Sequence, residues 1–219
     1  FRAENVLELL RQLEGGPYSL IARQARAIFE QKRDPFSVEA TIDQRYFAGL
    51  VRQVQQLGDS HQRPLKDMVG ALLDQANLLW PLRFRFSYEL SPSETYYQLV
   101  PSLRQLNRTR LLELVNLDSF EAVINALPAT LRGSLAGSTN LIEVQRRTGA
   151  RVSAEAWRIL RHESSGVARA LAFLVLREKD LFLLFSLVQG HLLELPQELV
   201  EIALELAEPN CPVSSLEAA

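Results

Sequence analysis

Apolar residues recur at helical spacing along almost the whole chain. The first stripe consists of Val6, Leu10 and Leu13, and the most apolar stretch extends over residues 167–189. Spacings of three and four residues place side chains on one face of an α-helix. Strict alternation, which would indicate a strand, is nearly absent, and the best example, residues 84–88, is too short to anchor a sheet. The pattern therefore predicts an all-α fold.

Prolines, serines and glycines mark the expected helix boundaries. We expect Pro35 to follow the end of the second helix and Ser37 or Thr41 to cap the third. Pro64 is expected to open the fourth helix, and Pro81 to kink or break it, because proline removes a backbone hydrogen bond. The remaining predicted helices cover residues 103–115, 120–127 after Ser119, 141–147, 153–160, 167–189 after Ser164 or Ser165, and 196–207.

The length of 219 residues fits one large domain or two small ones. We predict that residues 1–36 are the remainder of a preceding helical lobe or linker helices, that 37–128 form a helical lobe, and that 129–219 form a C-terminal helical lobe. The stretch from Pro209 onward contains two prolines and two serines and is expected to be frayed.

Composition excludes several classes of protein. Hydrophobic residues make up 47% of the chain, which excludes intrinsic disorder, and a single cysteine excludes a disulfide framework or a cysteine-based zinc cluster. The net charge of −2 argues against nucleic acid as a partner, since a nucleic-acid binder carries a strongly basic face. No uncharged apolar run reaches the length of about 18–20 residues that a membrane-spanning helix needs.

Catalytic motifs are missing as well. The three histidines, His61, His162 and His191, are far apart and follow no metal-binding spacing. The chain has neither a phosphate-binding P-loop nor a dinucleotide-binding glycine motif. We therefore expect no catalytic residues, no cofactor, no metal and no small-molecule substrate.

A polar pair interrupts the apolar pattern of the fourth helix. Asp74 and Asn77 lie three positions apart, so both occupy one helix face among leucines. Burying an unpaired carboxylate costs several kcal/mol, roughly, so we expect a bidentate ion pair with Arg83 or Arg85. Two interpretations stay open: a lock that holds helices in register, and a wall of a concave surface that grips a partner helix.

The same question applies to two acids further along the chain. Glu178 and Asp180 lie within the most apolar predicted helix, where Arg177 and Arg169 could neutralise them. Asp43, Asp74 and Asp180 each begin a short acidic–apolar motif, and the first two are 31 positions apart. This weak repeat indicates two or three pseudo-repeated helical units.

Two groups of arginines could form docking sites. The simpler interpretation is that each group lies on a solvated helix face. The alternative is that the arginines contact an acidic partner or membrane headgroups. The groups are Arg104, Arg108 and Arg110, and Arg146, Arg147 and Arg151.

Several of these motifs together resemble a known family. Asp74-x-x-Asn77-Leu78 is followed by Leu82-Arg83-x-Arg85, and later by Arg177-Glu178-Lys179-Asp180-Leu181, Gly190 and Leu195-Pro196. Their order and spacing resemble the C-subunit family of the V-type (V/A-type) ATPases, whose eukaryotic members are called d subunits. The resemblance extends over residues 42–206.

The resemblance implies a non-catalytic protein that couples the central stalk of a rotary ATPase to the membrane rotor ring during proton or sodium transport. The implied shape is a funnel of pseudo-symmetric helical lobes. The implied partners are the D and F subunits of the stalk and the proteolipid ring, and the implied location is peripheral, at the cytoplasmic face of the membrane. Family members are longer at the N-terminus, so most of a first lobe would be lacking here.

Two alternatives remain open on the sequence alone. One is a helical-repeat adaptor or scaffold that is unrelated to rotary ATPases. The other is an all-α ligand-binding regulatory domain, which would contain an enclosed apolar pocket with a few convergent polar groups.

Overall fold

The computed structural model describes residues 2–207, which form helices and no strand. The predicted all-α class is therefore confirmed, whereas the expectation about residues 209–219 lies outside the described residues. In chain order the helices are α1 (Val6–Leu13), α2 (Ser19–Lys32), α3 (Pro35–Gln56), α4 (Asp59–Phe86), α5 (Pro92–Gln98), α6 (Arg108–Val115), α7 (Phe120–Ala126), α8 (Ala129–Leu135), α9 (Leu141–His162), α10 (Gly166–Leu192) and α11 (Gln197–Ala207).

Side-chain caps explain where several of these helices begin. The predicted cap Ser119 is confirmed, and of the two candidates Ser164 and Ser165 the structure selects Ser165, since Ser119 and Ser165 each accept a hydrogen bond from a backbone N–H of the first turn. The expected cap of α3 is wrong. Asp34 takes this role, because Pro35 occupies the first helical position and the Asp34 carboxylate accepts hydrogen bonds from the N–H groups of Phe36 and Ser37.

Helix α4 differs most from its prediction, because it continues through both of its prolines. Pro64 lies inside the helix instead of opening it, and Pro81 does not end it. A proline inside a helix costs about 3 kcal/mol. Burial offsets this cost, because α4 places fully buried side chains such as Met68, Leu73 and Leu78 in two hydrophobic clusters along its length.

Other helix boundaries also differ from those that the sequence pattern predicts. Residues 141–162 form one helix, α9, with Ser153 buried in its interior, where two helices were predicted. Helix α6 begins only at Arg108, capped by Asn107, so residues 99–107 form a non-helical segment between α5 and α6. Helix α10 continues two residues past Gly190.

Three hydrophobic clusters hold the helices together. The first lies among α3, α4, α9 and α10, the second among the C-terminal half of α4, α5 to α8 and the start of α9, and the third among α1, α2 and the start of α3. Helix α4 contributes to the first two, and its most extensive neighbour is α9. The first cluster combines residues from both predicted lobes, and the lobe boundaries at 36 and 128 stay predictions.

Over the part of the chain that the structure describes, no helix is both long and apolar enough to span a bilayer.

The close packing of α10 on α11 depends on Gly190. A Cβ atom added there would lie 2.6 Å from Cγ2 of Val200, far inside van der Waals contact. We expect Gly190→Ala to lower the free energy of unfolding by about 1–3 kcal/mol through overpacking, measured by urea denaturation.

Gly49→Ala is the matched control, because nothing lies within 4 Å of a Cβ at this helical position. This control should be neutral or stabilising by up to about 1 kcal/mol. Val200→Ala added to Gly190→Ala should restore most of the loss. Equal behaviour of the two glycine variants would contradict the packing of α11 described here.

Candidate functional site

Asp74 and Asn77 bind both ends of the interhelical segment 99–107. The backbone N–H of Leu106 donates a hydrogen bond to Oδ1 of Asp74 at 3.2 Å, and Nδ2 of Asn77 donates to the carbonyl oxygen of Val100 at 2.7 Å. Both side chains are buried, with residue exposures of 4% and 0%. One turn of α4 therefore clamps a loop whose contact points are separated by six positions.

The segment needs this clamp because it is buried without being helical. Leu99 and Leu106 belong to the second hydrophobic cluster, and Val100 belongs to the first. Their backbone polar groups leave water and must find partners inside the protein. The segment supplies part of the pairing itself, since Ser102 N–H donates to the Leu106 carbonyl at 2.9 Å and Arg104 N–H donates to Oγ of Ser102 at 3.0 Å. The Asp74 and Asn77 side chains bond the segment to α4.

Gly70 allows the segment to approach α4 closely. It lies one helical turn before Asp74, and a Cβ atom there would be 2.9 Å from Cβ of Arg104. Any larger residue at this position would push the segment away from the carboxylate that holds it.

Charged side chains extend the clamp to α9. Nη1 of Arg104 lies 3.4 Å from Oε2 of Glu155, which also binds Nη2 of Arg158 through its other oxygen at 2.8 Å. Arg158 in turn pairs with Asp67 on α4 at 3.3 Å and with Glu163 at 2.8 Å. A cleft of 280 Å³ lies beside this network, with Asp74 and Arg104 in its wall. The ion pairs thus connect the segment, α9 and α4 in one network.

The electrostatics of Asp74 follow from its burial. Removal from water raises the pKa of the Asp74 carboxyl above its ordinary value. Hydrogen bonds from the Ser102 hydroxyl and the Leu106 N–H, together with the positive charge of Arg104, oppose this rise only in part. Asp74 is therefore a hydrogen-bonded carboxyl group and lacks the bidentate ion pair that the sequence predicted.

The predicted partners of Asp74 were wrong. Arg83 is exposed, and Arg85 donates through Nη1 to the Leu90 carbonyl at 2.8 Å and lies 3.8 Å from the carboxylate of Asp118. Both arginines are on α4 itself, nine and eleven positions after Asp74. At a rise of about 1.5 Å per residue, they lie roughly 14 and 16 Å along the helix axis, out of reach of the carboxylate.

Asp43 does not reproduce the role of Asp74. Its side chain is exposed on α3, at the rim of an apolar cleft lined by Leu10, Tyr18 and Tyr46. Partial loss of hydration at this rim, and then the nearby charge of Glu39, raise the pKa of the Asp43 carboxyl. The neighbouring residue Gln44 contacts the end of α5 instead, because its Nε2 donates a hydrogen bond to the Tyr97 carbonyl at 2.9 Å.

Glu178 and Asp180 lie towards the outside of α10. The predicted neutralisation of Asp180 by Arg177 is confirmed by a contact of 2.7 Å, and Glu178 is exposed. Sequence reasoning missed the residue between them. Nζ of Lys179 donates to the Gly149 carbonyl at 2.7 Å and to Oγ of Ser153 at 2.6 Å, which joins α10 to α9.

The arginine groups contain internal contacts as well. Arg110 pairs with Glu113 at 2.7 Å, and Arg151 donates to the Thr130 carbonyl at 3.3 Å. Together with the Arg104–Glu155 contact, these bonds use part of each group within the chain.

The predicted site residues therefore do not meet at one place. Asp74 and Asn77 act together, Arg83 and Arg85 lie at the end of α4, Glu178 and Asp180 are on α10, and Asp43 is on α3. Within residues 2–207, no three His, Cys, Asp or Glu side chains are placed to hold a metal ion. The arrangement around Asp74 can hold a buried loop in place, which is a structural task.

Fold and site together define an all-helical protein with a buried polar clamp, in which Oδ1 of Asn77 has no hydrogen-bond partner. The family model described as ATP synthase (C/AC39) subunit matches residues 1–201, and the chain belongs to this family. The family resemblance of the sequence motifs is thereby confirmed.

Two curated relatives carry the same designation. The chain is 24% identical over 137 residues to the C subunit of the A-type ATP synthase of Methanosphaera stadtmanae, and 26% identical over 133 residues to that of Methanothermobacter thermautotrophicus. Each alignment covers 61% of this chain and 34% of the relative, so the matched region spans about a third of the relatives' length. No solved structure gives a significant match.

We expect Asp74→Ala to lower the free energy of unfolding by about 1–3 kcal/mol, because it leaves the buried Leu106 N–H without its acceptor. Glu178→Ala is the matched control and should change stability by less than about 0.5 kcal/mol, since Glu178 is exposed. Urea denaturation in dilute solution measures both variants. Equal losses of unfolding free energy in the two variants would contradict the role of Asp74 in holding the segment.

The raised pKa of Asp74 also predicts a pH dependence. The folded state binds the Asp74 proton more tightly than the unfolded state does, so ionisation of this group destabilises the fold. Relative to Asp74→Asn, which cannot titrate, the wild type should lose stability as pH rises from below the ordinary aspartate pKa through the raised folded pKa. Above that pKa the difference should be constant.

Urea denaturation of the wild type and of Asp74→Asn at each pH measures this difference in the free energy of unfolding. The contributions of the other titrating groups cancel, because both proteins contain them. A wild type that gains stability with rising pH relative to Asp74→Asn would indicate an ion-paired carboxylate with a lowered pKa, contrary to the geometry described.

Proposed function

We propose that this chain is a non-catalytic subunit of a rotary V/A-type ATPase or ATP synthase, in which it couples the central stalk to the membrane rotor ring during proton or sodium transport. The observation that carries the proposal is the family match over residues 1–201. In this proposal the chain contacts the D and F subunits of the stalk and the proteolipid ring, and it lies peripherally at the cytoplasmic face of the membrane.

The packing of α4 supports a mechanical role. A coupling part must transmit force without deforming, so its helices should be fixed to one another at several points. Helix α4 spans 28 residues and contributes to two hydrophobic clusters. The bonds of Asp74 and Asn77 fix the loop to α4, and Arg158 links α4 to α9.

The environment of Asp74 supports a structural role over a catalytic one. A catalytic carboxyl group must present a lone pair or a proton to a substrate. Here the buried carboxyl group accepts hydrogen bonds from the segment that it holds, with the Leu106 N–H at 3.2 Å. This bond serves the fold, which agrees with a non-catalytic member of the family.

A binding experiment tests the proposal directly. The D–F pair and the proteolipid ring in lipid nanodiscs, both from the source organism, are immobilised separately, and binding of the folded chain is followed by biolayer interferometry. We expect saturable binding to at least one of the two. A chain with native circular dichroism that binds neither would contradict the coupling role and would favour the adaptor or the ligand-binding alternative.

Single substitutions test the predicted contact role of the acids on α10. Glu178→Gln and Asp180→Asn remove one charge each, and Glu121→Gln on α7 is the matched control because it is also exposed. Weaker binding of the two α10 variants alone would support a partner contact. Equal binding of all three would remove these acids from the interface.

A further inference from the structure

The cleft beside Asp74 contains more arginines in its wall than the clamp requires. Its volume is 280 Å³, and its wall includes Arg104 from the segment together with Arg151 and Arg158 from α9. The acids in the same wall are Asp74 and Glu155. Guanidinium groups from two parts of the chain therefore border one small space, and they outnumber the carboxylates there.

Arg158 takes up most of the negative charge in the wall. It binds Glu155 through Nε at 2.9 Å and through Nη2 at 2.8 Å, whereas Arg104 approaches the same carboxylate only to 3.4 Å. Arg158 also contacts the carboxylates of Asp67 and Glu163. Arg104 thus shares a carboxylate that another arginine already holds, so its positive charge is incompletely neutralised.

Arg151 has no carboxylate partner among the residues that the structure describes. Its Nη1 donates to the Thr130 carbonyl at 3.3 Å, which uses one of the five N–H groups that an arginine offers. Gln75 lies in the same wall, and its side-chain amide makes no hydrogen bond within the described part of the chain. The cleft therefore presents a guanidinium without a counter-charge and an amide donor without an acceptor.

The donors and the volume of the cleft indicate what it can hold. Guanidinium groups bind carboxylate and phosphate oxygens in bidentate pairs, and such charge-assisted bonds are about twice as strong as neutral ones. Sites for drug-sized ligands have volumes of about 300–1,000 Å³, so a cleft of 280 Å³ suits a smaller molecule. Burial raises the pKa of the Asp74 carboxyl, which favours its neutral form and reduces its repulsion of an anion.

We propose that this cleft binds a small oxyanion of the phosphate or carboxylate class between Arg104 and Arg151. Arg158 keeps Glu155 paired, and the amide of Gln75 donates an additional hydrogen bond to the anion. The bound anion connects the buried segment to α9, beside the direct contact of Arg104 with Glu155. This site is independent of the proposed coupling role, and either proposal can fail without the other.

Equilibrium dialysis of the full chain tests the site with two probes, radiolabelled inorganic phosphate and radiolabelled succinate. At an ionic strength held constant with chloride, we expect saturable binding of at least one probe at millimolar concentrations, with one anion per chain. Tighter binding of phosphate would assign the site to phosphate groups, and tighter binding of succinate would assign it to carboxylates. Absence of saturable binding of both probes would overturn the proposal.

Substitution of Arg151 tests where the anion binds. Arg151→Gln should weaken binding by about tenfold or more, because it removes charge-assisted hydrogen bonds to the anion. Arg132→Gln on α8 is the matched control. Nη1 of Arg132 also donates to a backbone carbonyl, that of Asn125 at 3.2 Å, but Arg132 does not line the cleft. Equal weakening in the two variants would indicate non-specific attraction of anions and contradict the site.

Two further variants keep the test decisive if Arg151→Gln does not fold. Arg104→Gln should weaken binding to a similar degree. Arg151→Lys should retain part of the affinity, because lysine keeps the positive charge but loses the bidentate geometry. Circular dichroism in buffer without either probe verifies that each variant is folded. Folded Arg104 and Arg151 variants that bind the anion as tightly as the wild type would overturn the assignment to this cleft.

Discussion

The non-helical segment 99–107 buries Leu99, Val100 and Leu106 between helices. Helices satisfy most of their own backbone polar groups, whereas this segment pairs only some of its own, and side chains of α4 bond two of the others. Asp74 holds the Leu106 end and Asn77 holds the Val100 end. These bonds fix the segment that joins α5 to α6, next to the second hydrophobic cluster.

Polar residues at half-buried positions along α9 and α10 also join neighbouring elements. Glu155 and Arg158 extend the network from the segment to α9, and Lys179 bonds the backbone of α9 from α10. Each of these groups connects two elements that apolar packing alone would leave free to slide. A protein of the ATP synthase (C/AC39) family that transmits force would need such fixed registers, which is how the internal structure bears on the proposed coupling role.

Helix α10 is apolar on nearly all sides, although only part of it is covered. Ala168, Ala172 and Val175 are buried in the first cluster, whereas Leu174 and Leu181 face outward. A helix that is hydrophobic all round is usually buried all round. Lys179, on the inner side of α10, bonds to α9, whereas Glu178, on the outer side, has no cation partner within residues 2–207. This contrast separates a surface that packs against the fold from one that the described residues leave exposed.

The sequence alone determined the helical class, the Ser119 cap, a cap at Ser164 or Ser165, the burial of Asp74 and the family, because helix periodicity, capping and motif order are local properties. Only the tertiary structure decided the rest. Packing against two clusters kept α4 continuous through Pro81, and the carboxylate of Asp74 found Leu106, 32 positions away, instead of the arginines of its own helix. Asp43 has the same local motif without the same role, because its side chain faces an apolar cleft rather than a buried loop. The bonding partner of a buried polar group depends on which distant segment crosses it, and that choice is made by the fold as a whole.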